Sequence, residues 1–292
     1  MNRRFFLLSL AFTAGVATVR RRLGAQSVTD DDELLCTKKF SWAGSLELEK
    51  RPIGDVIAEV GKSFIGTPYA PNTLEAPGDE HLVVNLHGLD CVTFYENSLV
   101  FARCIKKRAT TFDDYRKELQ FIRYRGGVMD GYTSRLHYTS DYFYDNEKKG
   151  VFRNVTKEIG GVPFVKSLNF MSTHAGSSRQ LREHPEFIEV IKQQEADINA
   201  RAEFYIPKGD VESIADKIQS GDILGITTDV EGLDCSHTGV AIHQDGALHL
   251  MHAPDVGYTV TISEKPLAEY LASHKKQSGL MVMRPLEPTT HE

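Results

Sequence analysis

An imidazole placed to take the proton of a thiol makes a nucleophile able to open an amide, so the cysteines and histidines of this chain are where chemistry would start. Two of the four cysteines close the same tetrapeptide, GLDC: once in HGLDCVTFYEN at 87–97 and once in EGLDCSHTGVAIH at 231–243. A thiolate is favoured at a helix N-terminus, where unpaired N–H groups and the dipole attract negative charge. After Cys91, residues Val92, Tyr95, Leu99, Ala102 and Ile105 recur at helical spacing, and Lys106, Lys107 and Arg108 fall in the last turn. Cys91 is therefore expected in the first turn of a long buried helix, with Asp90 either its N-cap or a substrate ligand. Cys235 leads into a β-branched run and is expected to pack. Cys36 and Cys104 are read as structural.

The second half of the site follows from a turn. HTGVAIH and ALHLMHA are strand-like runs joined through Asp245-Gly246, a dipeptide that favours a two-residue hairpin. That register pairs Gln244 with Ala247 and sets Gly239 opposite His252, with His237 the diagonal neighbour on the same face. One imidazole could then hold the other in a fixed tautomer, giving a Cys91–His237–His252 relay. Gly239 and Ala241 share that face, and their small size predicts close approach of a helix there.

Four histidines (His237, His243, His249, His252) crowd this region and raise the question of zinc. In the same register His249 pairs with Ile242 and points to the opposite face, and His243 lies about 20 Å along the strand from His237. Two converging ligands do not make a zinc site. The expectation is no metal and no cofactor.

The elements that must position these groups read as follows. Residues 27–50 are polar and acidic, a loose lead-in. Ile53, Val56, Ile57 and Val60 form a helical stripe, and FIGTPYAPNTLEAPGDE is loop. Residues of about 109–215 look like a large insertion, with helices expected at 112–124 after Thr110 or Thr111 and at 185–200, opened by Pro185. Six of the eleven tyrosines lie between 115 and 144. With Arg123, Arg125 and Arg135 they offer either a sugar-stacking, carboxylate-binding wall or the core of the insertion. From 221 onward short strands begin, DILGITT first.

The first 26 residues read as an export signal: MNRR, then an apolar FFLLSLAFTAGVATV, then LGAQ with cleavage after Ala25. Arg3 and Arg4 before FFL resemble a twin-arginine signal, although RRR at 20–22 sits late. Removing this segment deletes five arginines and no acids, so the formal charge moves from −6 to −11. That balance argues against nucleic acid or an anionic membrane surface as the main partner.

GTPY at 66–69, LDCVTF at 89–94, SHTGVAI at 236–242 and HLMHA at 249–253 resemble, in order and spacing, the NlpC superfamily of papain-like cysteine peptidases acting on bacterial cell wall. LDCVTFYEN, RLHYTSDYFYDN, FMSTHAG and GLDCSHTGVAI are similar to one branch of it, the N-acetylmuramoyl-L-alanine amidases acting on anhydro-muropeptides. The resemblance implies an α+β, papain-like NlpC fold with the Cys91 helix packed on an antiparallel sheet. One catalytic domain would span 27–292, with its core at about 50–108 and 221–285. It implies Cys91 as nucleophile, His237 as base and His252 as orienting residue. Tyr69 would be a hydroxyl near the oxyanion or substrate, beside the Cys91 N–H. Where that branch commonly has an aliphatic residue this chain has Cys235. The implied function is a periplasmic hydrolase of muropeptides. The alternatives are a γ-D-glutamyl stem-peptide endopeptidase using the same triad, or a wall-fragment binding protein with an inert thiol.

Overall fold

The computed structural model describes residues 25–255 and 257–289, so the expected export signal at 1–26 lies almost wholly outside the described residues. The hairpin forms in the expected register. Strand β5 (Cys235–Gln244) pairs with β6 (Ala247–His252), with Gln244 opposite Ala247, Ile242 opposite His249 and Val240 opposite Met251. Asp245 at φ 52° and Gly246 at φ 81° are both left-handed, as a type I′ turn requires.

This hairpin is part of an antiparallel sheet ordered β2-β3-β8-β4-β5-β6-β7. Its other strands are β2 (Val162–Pro163), β3 (Phe204–Pro207), β4 (Ile223–Thr228), β7 (Thr261–Ile262) and β8 (Gln277–Pro285). β1 (Phe152–Asn154) also pairs with β8. The sequence reading did not identify β8 as a strand, although it sits in the middle. Its run from Leu280 to Met283 is buried on both faces, so it lacks the alternation that marks a half-exposed strand. The 109–215 segment also enters the sheet, through β1 and β3, instead of lying wholly to one side.

The sheet is covered on both faces, and alternation decides which residues meet which cover. Ile223, Val240, Ile242, Met251, Met281 and Met283 share a core with helices α1 (Ala25–Ser45), α2 (Ile53–Lys62), α3 (Cys91–Lys107) and α4 (Phe112–Arg123). Leu224, Ile226, Ala241, Leu248, Leu250, Leu280 and Val282 pack with Leu267 and Leu271 of the helix Leu267–Ser273. This corrects the small-residue expectation, because Ala241 faces away from α3. Gly239 is small for another reason: a Cβ there would come within 2.6 Å of the Met251 carbonyl and 3.2 Å of the His252 Cβ. Its missing side chain lets β6 close on β5 beside the two histidines.

Residues 27–50 are not a loose lead-in. Most of them form α1, with Cys36, Phe40 and Ala43 buried on one stripe. Burying Phe40 alone stabilises by about 1.5–3 kcal/mol. Asp32, in the acidic run that hid the pattern, is itself buried and accepts the Leu86 N–H at 2.8 Å. The stripe Ile53, Val56, Ile57 and Val60 is buried as expected. Thr111 caps α4 through a capping box with Asp114, and the later helix runs Phe187–Asn199, with Glu186 as its cap and Pro185 just ahead.

Candidate active site

Cys91 is the first residue of α3, half-buried. Asp90 is the N-cap of that helix: its carboxylate accepts the Thr93 N–H at 2.8 Å, and its own N–H donates to the Thr93 hydroxyl at 2.9 Å. That closes a capping box. Of the two readings open for Asp90, this is the cap. The Thr238 hydroxyl of β5 donates to the Cys91 carbonyl at 2.9 Å, tying the sheet to the start of the helix.

The second GLDC uses its aspartate in a related way. The Asp234 carboxylate accepts the N–H of Ser140 at 2.6 Å, in the first turn of α5 (Thr139–Lys148), and the N–H of Cys235 at 2.6 Å. Both copies therefore place a carboxylate at a helix start, one on its own helix and one across the chain. Cys235 is buried against Gly225, where an added Cβ would stand 3.1 Å from its sulfur. Burial, then the Asp234 charge, pushes its thiol well above the ordinary range. All four cysteines are free thiols.

His237 Nε2 lies 2.7 Å from His252 Nδ1, with the rings edge-to-face at 84°. The Tyr270 ring meets His252 in the same manner, centroids 5.3 Å apart. Cys91, His237, His252 and Tyr69 all line one cleft of about 680 Å³. Tyr69 is held there by backbone: its N–H donates to the Tyr258 carbonyl at 2.8 Å, and the Ala70 N–H donates to Leu89 at 3.1 Å.

The electrostatics run against a preformed ion pair. Burial raises the Cys91 thiol to about 11, Asp90 adds to the rise, and Thr238 opposes it. Desolvation of the thiolate, the largest cause, opposes the stabilisation expected at a helix start. Burial lowers His237 to about 4, with Asp255 opposing and His274 adding, and lowers His252 to about 3. At neutral pH Cys91 is a protonated thiol and His237 a neutral imidazole, both lining the same cleft.

No residue of 109–215 lines this cleft. The tyrosine- and arginine-rich segment is core and clamp, not an exposed sugar wall. Arg123 pairs with Glu96 inside the core, Arg125 with Asp141, and Arg135 with Glu75 and Glu80. Side chains of 109–215 also fasten the loop that runs from Tyr69 to Asp90. Arg123 donates to the Val83 carbonyl, Arg135 to Leu74, Arg179 to Ala76 and Gly78, and the Tyr124 hydroxyl to Glu80.

A family model described as AmiA-like, N-acetylmuramoyl-L-alanine amidase-like, matches residues 59–280. The chain belongs to the AmiA-like family. A solved N-acetylmuramoyl-L-alanine amidase from Bacteroides uniformis is 33% identical with a TM-score of 0.77, covering 80% of this chain and 99% of its own. A Bacteroides fragilis structure provisionally named a xylanase is 36% identical, TM-score 0.74, over 77% of this chain and 99% of its own. A Legionella pneumophila protein shares the fold at 20% identity, TM-score 0.70, over 91% and 99%. No curated protein matches this chain.

In this AmiA-like protein the cleft also holds Asp255, Lys265, Tyr270 and His274, none of which the sequence reading singled out. The available signal was KPLAEYLASHKK, whose Pro-led apolar spacing marks a helix carrying Tyr270 and ending at His274. Among the described residues no group of three His, Cys, Asp or Glu could hold a metal ion. His249 is turned to the Ser263 carbonyl at 2.8 Å and His243 to that of Ile218 at 2.7 Å, each away from the His237–His252 pair.

Proposed function

We propose that this AmiA-like protein hydrolyses the amide between N-acetylmuramic acid and L-alanine in soluble peptidoglycan fragments, in the periplasm, by cysteine chemistry of the NlpC type. The observation that carries the reading is the 2.7 Å contact between His237 Nε2 and His252 Nδ1 in the cleft that also holds Cys91. His252 stays neutral and accepts from His237 Nε2–H, which leaves His237 Nδ1 free as a base. As substrate binds, Nδ1 takes the thiol proton and the sulfur attacks the amide carbonyl carbon. The oxyanion is met by the Cys91 N–H and the Tyr69 hydroxyl. Collapse expels the alanine amine, which takes its proton from His237. Water, deprotonated by His237, then cleaves the thioester and frees the sugar carboxylate and the thiol. Family membership and the named amidase at 33% identity support the substrate class. The resemblance to the anhydro-muropeptide branch supports a preference for the 1,6-anhydro sugar.

Digestion of defined muropeptides, with and without a 1,6-anhydro sugar, read by mass spectrometry, tests this. Release of intact stem peptide from the muramyl residue is expected. A cut inside the peptide would replace the amidase reading with an endopeptidase. Binding without any cut would leave a fragment-binding protein.

A further inference from the structure

A hydrogen bond between two neutral imidazoles has a direction, and that direction decides which ring can serve as a base. His237 Nε2 and His252 Nδ1 share one proton across their 2.7 Å contact, so one ring donates and the other accepts. For His237 to keep Nδ1 bare it must donate from Nε2. His252 then accepts at Nδ1 and carries its own hydrogen on Nε2. His252 is only 3% exposed, and among the described residues the contact with His237 is the one hydrogen bond its ring makes. A buried N–H without an acceptor is costly, so this tautomer needs support from something else against the ring.

That neighbour is Tyr270, whose ring stands edge-to-face with His252, centroids 5.3 Å apart and planes at 79°. In such a contact the electron-poor rim of one ring rests on the electron-rich face of the other, and an aromatic face can accept an N–H. Tyr270 is fixed in place. It belongs to the helix Leu267–Ser273, whose Leu267 and Leu271 are buried against the sheet. Its N–H donates to the Pro266 carbonyl at 2.9 Å, and its carbonyl lies 2.7 Å from His274 Nδ1. The His274 ring packs against the Tyr270 ring at 4.4 Å. His237, His252, Tyr270 and His274 thus form a run of rings in contact, and all four line the cleft.

We infer that Tyr270 is a positioning residue: its ring face receives the His252 Nε2–H, which fixes the tautomer of His252 and, through it, that of His237. The inference rests on the amidase reading for its effect on rate, and it adds the group that gives the relay its direction. An aromatic face suits the task because it tells the two tautomers apart by sign. An N–H pointing at the π cloud is attracted, whereas the lone pair of an unprotonated Nε2 is repelled. With the hydrogen on His252 Nδ1 instead, His252 would donate to His237 Nε2, and the His237 hydrogen would sit on Nδ1. No base would then be left for the thiol.

Nitrogen NMR of histidine-labelled protein, at neutral pH and without substrate, reads which ring nitrogen carries each hydrogen; His252→Ala assigns the signal. In the parent protein both His252 and His237 should carry theirs on Nε2. Tyr270→Leu removes the face: His252 should then populate both tautomers, and kcat on a muramyl peptide should fall about fivefold with KM within about twofold. Tyr270→Phe keeps the face and lacks the hydroxyl, so it should restore both the tautomer and the rate. A hydrogen on His252 Nδ1 in the parent overturns the inference, and that measurement needs no variant to fold. A tautomer indifferent to Tyr270→Leu overturns it as well. So does a loss in Tyr270→Phe equal to that in Tyr270→Leu, which would place the role in the hydroxyl. A parent protein that releases no stem peptide overturns the amidase reading alone, because the tautomer is read without substrate.

Discussion

His237 and His252 meet nitrogen to nitrogen at 2.7 Å across the mouth of a hairpin, and burial keeps both imidazoles neutral. If His237 is the base and His252 its orienting partner, His237→Ala should cost on the order of 10²–10⁴ in kcat/KM. His252→Ala should be milder, about tenfold, because it removes one hydrogen bond and leaves the proton acceptor in place. Steady-state rates on a muramyl peptide decide this, and a reversed ranking would make His252 the base.

The two GLDC copies make opposite predictions. Cys91→Ala should abolish turnover with little change in thermal stability, since Cys91 is half-buried and the change is small. Cys235→Ala should keep most activity while lowering Tm by a few degrees through a small cavity. Equal loss of turnover in both would falsify the assignment.

Asp90 caps α3 and its charge raises the Cys91 thiol. Asparagine caps as well as aspartate but carries no charge. Asp90→Asn should therefore lower the thiol pKa and speed alkylation of Cys91 by iodoacetamide at pH 8 without a loss of stability. A slower or unchanged alkylation rate would mean that the charge does not reach the sulfur.

Three histidines in desolvated sites, His252 buried and His137 and His237 half-buried, set an acid dependence of stability. Burial lowers His137 to about 3, His237 to about 4 and His252 to about 3. Below the ordinary histidine value of about 6.5 the unfolded chain binds protons that the folded chain refuses, so stability falls as pH drops toward 4 and 3. Glu203 acts in the opposite sense: burial raises it to about 7, so the folded chain gains stability from its proton as pH falls through 7. The difference between the parent protein and His137→Asn isolates one histidine. Melting curves from pH 7 to 4 should show a shallower acid loss in the variant, and identical slopes would contradict the burial effect.

What could be read from the sequence was local. Asp245-Gly246 determines its own turn, and the turn determines the pairing of every residue back to His237. The helix behind Cys91 announces itself by spacing, caps and terminal lysines. Face was the harder matter, because alternation tells which residues share a side and not which helix covers that side. Ala241 was misjudged for that reason. α1 was hidden by an acidic run whose Asp32 turns inward, and β8 by burial on both faces. The arginines of 123–135 could bind a ligand or each other's neighbours, and only the fold supplies Glu75, Glu80, Glu96 and Asp141 as their partners.

The central place of β8 has a consequence for the order in which the molecule assembles. β8 separates β3 from β4 and also pairs with β1. Until residues 277–285 arrive, strands made earlier face a gap, and both β3 and β4 present bare edges to any extended chain nearby. The layers carrying Leu280 and Met281 are open over the same interval. Closing the sheet is therefore a late, long-range event in synthesis, of the kind that is slow and exposed to aggregation. A chain truncated before Gln277 should hold its α2–α3 region without a finished cleft, and the Cys91 thiol should only meet its histidines in a settled geometry once the last strand has slotted between two that were waiting for it.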